Sequence, residues 1–127
     1  MRRLGLVVLS VVMATPLWAD DLVQREVLQE QPLSGAEGMV VIVSKLTVEP
    51  GGRIPLHTHP GDEHAVIVTG GLALMPNGKE VQFPPMSTAF FPAGSVHGGV
   101  TNQGDATIEI VTTHIVPSGE PFQTAAE

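Results

Sequence analysis

The chain has 127 residues, 43% of them hydrophobic, which suits one globular domain and leaves no room for a second. Its formal net charge of −7 repels phosphate backbones, so no nucleic acid is expected as a partner. Without cysteine no disulfide can form, and stability has to come from packing or from a bound ion.

At the N-terminus, Arg2 and Arg3 precede an apolar run from Leu4 to Val12, then Thr15, Pro16, Leu17, Trp18 and Ala19 ahead of the acidic pair Asp20 and Asp21. That order fits a secretory signal peptide over residues 1–19, cut after Ala19. The stretch from Leu4 to Trp18 is 15 residues broken by Ser10, Thr15 and Pro16. A spanning helix needs roughly 20 apolar residues, so no stable membrane anchor is expected. The protein is therefore expected to be exported, periplasmic or secreted, with four basic residues against 13 acidic ones in the mature chain.

Residues 20–38 form a polar lead-in whose one amphipathic stretch, Leu22 to Leu28, fits either a strand or an early helical turn. From Met39 the chain breaks into short β-rich runs separated by Gly, Pro and Asn: 39–48, 64–69, 71–75, 80–83, 88–91, 96–101 and 107–116. Such runs predict an all-β antiparallel sandwich or barrel over residues 39–116. Asn77-Gly78 predicts a type I′ hairpin, since both residues tolerate positive φ. Fourteen Gly and 11 Pro argue against any helix longer than a turn or two. The tail, residues 117–127, is expected to fray.

His57 and His59 stand two apart in an extended segment, so their side chains share a face. Pro60 and Gly61 turn the chain, and Glu63 opens the next strand, where its carboxylate can return to the same side. His97 follows Pro92-Ala-Gly94 and opens a later strand. Neutral imidazoles with a carboxylate suit one divalent metal ion per chain, Fe, Mn, Ni, Zn or Cu. Four protein ligands on an octahedral ion leave two positions for water, oxygen or substrate. His64, adjoining Glu63 and so on the opposite face, and His114, near the end of the last strand, are expected at the surface or an interface. Ala65, Ile67 and Thr69 should line the interior with Glu63, while Val66 and Val68 face outward. Phe83, Phe90 and Phe91 read as core and not as a substrate platform.

Gly51, five residues, His57-Thr-His59, three residues, Glu63, six residues and Gly70 match the first motif of the cupin superfamily, and Pro92-Ala-Gly94, two residues, His97 match the core of the second. Across about residues 40–116 the chain resembles a small single-domain cupin. The resemblance implies a jelly-roll β-barrel, metal ligation by His57, His59, Glu63 and His97, and a homodimer. Met86 stands where the second motif usually opens with Gly, so the turn after Pro84-Pro85 should be built differently. Asn102 lies five residues beyond His97 instead of four, which should displace the closing turn by one.

Three classes of function are open. The first is a metal-dependent enzyme acting on a small-molecule substrate, dioxygenase-like by resemblance, with decarboxylase or isomerase chemistry also in the superfamily's range. There Glu63 is a fourth ligand or, off the metal, the catalytic base, whereas Asp62 should point outward. The others are a module that captures a metal or small ligand without turnover, and a dimer whose metal only staples the barrel.

Overall fold

The computed structural model describes residues 19–127, so the signal-peptide reading of residues 1–19 lies outside the described residues except for Ala19. A 3-10 turn at Ala19–Leu22 leads into strands β1 (Val23–Pro32), β2 (Met39–Val48), β3 (Arg53–Ile54), β4 (His57–Thr58), β5 (Asp62–Thr69) and β6 (Gly71–Leu74). Then come β7 (Glu80–Phe83), β8 (Thr88–Phe91), β9 (Val100–Asn102), β10 (Ile108–Pro117) and β11 (Thr124–Ala125). A five-stranded antiparallel sheet in the order β1-β2-β10-β5-β8 faces a four-stranded one, β3-β9-β6-β7, and β11 pairs with β4. This is a single-domain antiparallel jelly roll, and among the described residues no helix is long and apolar enough to cross a membrane.

β2 and β10 form the backbone of the fold, paired from Val48↔Ile108 to Met39↔Pro117. Their inward positions alternate as strand geometry requires, and they divide the interior by chemistry. At one end Leu46, Val48 and Ile108 are buried, with Val23, Ile54 and Ile110 packed against them. Each such buried side chain contributes roughly 1.5–3 kcal/mol. Further along the same strands the buried positions are Ser44, Thr112, His114 and Val116, three of the four polar. The apolar end holds the barrel together, and the polar end carries the site.

Several sequence expectations need correction. In the lead-in, the stretch left open between strand and helical turn is strand and longer than expected: β1 pairs antiparallel with β2 over its length, with a register shift between Val27 and Gln29. The tail does not simply fray, since Thr124 and Ala125 pair with Thr58 and His57. The hairpin between β6 and β7 is not type I′. Met75 O accepts from Gly78 N at 2.9 Å and Gly78 alone takes a positive φ, 79°, so Pro76, Asn77 and Gly78 form a three-residue loop. The run predicted at 96–101 becomes β9 only at Val100, because Gly98 and Gly99 sit at φ 90° and 68°, outside the strand region. Met86 does not rebuild its turn; it adopts the left-handed conformation itself, at φ 65°. Asn102 is buried, its amide donating to Val48 O at 2.9 Å and Ala106 O at 2.8 Å while its oxygen accepts from Gly104 N at 3.0 Å. Ala65 and Ile67 are buried as expected, but Thr69 is exposed beyond a bulge opposite Glu109 and Ile110.

Candidate metal centre

Four segments converge at the polar end. His57 on β4 bridges directly to His97, each backbone N–H donating to the other's carbonyl at 2.9 and 3.0 Å. Their ring centroids lie 4.3 Å apart, and His59, two residues on, brings its ring within 4.7 Å of His57. Gly61 then lets the chain pass against β10, where a Cβ would run into the carbonyl of Ile115, and β5 returns with Glu63 facing inward. Asp62 is turned away from the cluster, and its Oδ1 accepts from Ala93 N at 3.0 Å, holding the Pro92–Gly94 loop in place. Gly98 is required for a similar reason: a side chain there would strike Pro55 O and come within 3.0 Å of His57 Nδ1. His57, His59 and Glu63 are buried, His97 is half-buried, and the four ligand atoms lie within 4.8 Å of one another.

The tautomers point to what belongs between them. Nδ1 of His57 contacts Pro55 O at 2.7 Å, Nδ1 of His59 contacts Phe122 O at 2.7 Å, and Nδ1 of His97 contacts Ser95 O at 3.0 Å. A carbonyl only accepts, so each Nδ1 carries a proton, and a ring holding that proton alone has its Nε2 as a lone pair. Yet Glu63 Oε2 stands 3.1 Å from His59 Nε2 and 2.8 Å from His97 Nε2. Lone pairs this close repel unless positive charge stands among them. A proton on an Nε2 or a cation between the rings can supply it, and at His57 burial pushes the pKa down, against a second proton. A divalent cation supplies the charge with the rings neutral, and ligands about 2.1 Å from one ion at right angles are roughly 3 Å apart, in line with these contacts. The donor set therefore fits a metal ion, with the backbone carbonyls fixing ring orientation from outside.

His114 was expected at the surface or an interface and is instead completely buried against the cluster. Its Nε2 lies 3.2 Å from Glu63 Oε2 and 3.3 Å from His59 Nε2, while its Nδ1 has no partner. With no acceptor at Nδ1, the proton belongs on Nε2, where it donates to Glu63. His114 thus differs in kind from the other three: it orients the carboxylate. Burial lowers its own pKa, partly opposed by Glu63. For Glu63, burial would push the carboxyl up, but the hydrogen bond from His114 and the contacts with His59 and His97 together hold it well below the usual carboxylate range.

His64 behaves as expected: it is exposed and packs on Phe90, 4.9 Å between centroids. Phe90 is itself 55% exposed, so it is not core. Phe91 stacks on His97 at 4.1 Å and 9°, and with Phe83 it lines a cavity of about 480 Å³. His57, Glu63 and His97 face that cavity, whose walls include Leu46, Ile67 and Ile108. The ring of Phe122 packs 4.8 Å from His59 and 4.5 Å from His114.

The model of the cupin domain family matches residues 44–116, more than half of the chain. The chain belongs to the cupins. Among solved structures it is similar to a cupin domain protein of Bordetella pertussis Tohama I, at 25% identity and a TM-score of 0.55, covering 73% of this chain and 92% of that one. It is also similar to the DMSP lyase DddQ of Ruegeria pomeroyi DSS-3, at 21% identity and a TM-score of 0.61, covering 87% of this chain and 55% of that one. An oxalate oxidase in complex with the substrate analogue glycolate aligns at 22% identity and a TM-score of 0.52, covering 68% of this chain and 46% of that one. This cupin thus spans about half the length of the lyase and of the oxidase, and at these identities the likeness to them is one of fold. No curated protein matches it. Three residues the sequence reading missed complete the site of this cupin: His114, Phe122 and, on β1, Arg25. Only His114 carried a signal, as an inward position on a strand shared with Thr112 and Val116.

Proposed function

We propose that this cupin is a metal-dependent enzyme acting on a small organic molecule, with oxygenase-like chemistry foremost and decarboxylation or isomerisation as neighbouring reactions. One observation carries the reading: the donors of His57, Glu63 and His97 open directly onto a cavity of about 480 Å³, a size suited to a small ligand. A bare structural staple would need no such room. That the same fold hosts an oxalate oxidase and a DMSP lyase supports the reading by analogy. When bound, a divalent ion supplies Lewis-acid polarisation and a template for the reactants. The chain's own part is to hold the ion through His57, His59, Glu63 and His97, to exclude water with apolar walls, and to keep Glu63 ionised under the donor proton of His114. The export signal read in residues 1–19 and the pairing of two copies belong to the same proposal, which places the work outside the cytoplasm.

The test is turnover by the metal-loaded chain across small carboxylic acids and phenols, with oxygen uptake followed in parallel. A Glu63→Gln variant held at saturating metal is expected to lose about 10²–10⁴-fold in rate. A loaded wild type that consumes none of the panel and no oxygen would leave binding without turnover as the better account.

A further inference from the structure

We propose that the cavity takes a small organic anion, its carboxylate held by Arg25, its apolar body against the barrel wall and its reacting end toward the metal centre. The inference rests on the enzyme reading above and names its substrate class.

Arg25 comes from β1, the strand the sequence did not settle, and lines the same cavity as His57, Glu63 and His97. Among the described residues it is the one Lys or Arg that lines the cavity. Its Nη1 donates to Thr112 Oγ1 at 2.9 Å, and its guanidinium carbon lies 5.2 Å from the centroid of Phe122. Thr112 sits two residues before His114 on the inner face of β10, opposite Ala65, so the guanidinium is held one side-chain layer from the metal ligands. A guanidinium has five N–H donors, and one is taken by Thr112. Among the described residues no ion pair includes Arg25; the acid that acts on it is Glu63, at longer range. A half-buried cation with unused donors is costly unless an anion answers it.

The charge count points the same way. A divalent ion and Arg25 together outweigh the single carboxylate of Glu63, so the loaded cavity is positive inside a chain of net charge −7. Such an interior draws in an anion that the surface otherwise repels. The planar fork of Arg25 matches a carboxylate, and the other walls are mostly apolar, Leu46, Ile67, Ile108 and Phe91 among them, with Gln82 and Thr88 among the polar exceptions, so most of the molecule should be hydrocarbon-like.

Calorimetry of the full, metal-loaded chain with hexanoate and the nearly isosteric hexanamide tests this. The wild type should bind hexanoate at least about tenfold more tightly than hexanamide. Arg25→Met should abolish the preference, and Arg25→Lys should keep part of it. Equal affinity for the two probes, no binding of hexanoate, or a preference that survives in Arg25→Met because the carboxylate sits on the metal instead, overturns the proposal. If Arg25→Met does not fold, the wild-type preference and its partial loss in Arg25→Lys decide. Metal content is measured on each sample: an ion-free wild type contradicts the metal centre, whereas a loaded wild type without the preference contradicts the anion site alone.

Discussion

The segment 57–63 and the two ends of the described chain make opposite contributions to one site. Within 57–63, two imidazoles and a carboxylate are brought together by spacing: a period of two, a Pro-Gly turn and a return strand. The ends supply what surrounds them, and by contacts that no local spacing encodes. Arg25 reaches Thr112 across 87 positions and His59 reaches the carbonyl of Phe122 across 63. Ligands can be written locally, whereas their orientation and the character of the cavity come from long-range sheet pairing.

If that division is right, substitutions in the two regions should differ in size. His57→Ala removes a ligand and should lower metal affinity by more than about 100-fold, beyond the roughly 10–100-fold that outer partners cost, as read by competition with a chromophoric chelator. His114→Phe keeps the bulk but loses the donor to Glu63 and should cost about 10–100-fold in the same assay, with His114→Gln recovering part. Ending the chain after Pro117 removes the Phe122 acceptor and β11, and should cost about tenfold while β2 and β10 keep the barrel folded. Equal losses from all three would erase the distinction between ligand and support.

The pattern of legibility follows the same line. β2, β7 and β8 are short β-rich runs with Gly or Pro close by and lie where the sequence put them. β1 has no such signal: nearly all of it is exposed, and it is a strand because β2 offers a free edge. His114 was discounted by its place near a strand end, yet the inward alternation of β10 buries it. The tail, with its Gly, Pro and Glu, reads as loose until its pairing with β4 is known.

Acid should sharpen the picture by weakening the site before the apolar end. Burial sets the folded pKa of His57 and His114 below the ordinary 6.5, so the folded chain binds fewer protons there than the unfolded one. Their contribution is full above that pH and falls as pH drops below it. Glu63, held low, adds stability above about 4.5 that is lost only at still lower pH. The melting temperature of the metal-free chain should therefore fall from pH 8 to pH 5, and one that rose would mean the imidazoles are not buried as described. The smallest effect is expected at an exposed turn residue that is not among the metal ligands. Met86 is 74% exposed at φ 65°, so Met86→Gly should raise stability by about 1 kcal/mol in denaturant melts and leave metal affinity unchanged.

Elemental analysis of chain purified without chelator, beside a His57→Ala, His97→Ala double variant, tests the central claim most directly. One divalent ion per wild-type chain and next to none in the variant is the predicted result; a wild type that carries no ion, or a variant that carries as much, would contradict it.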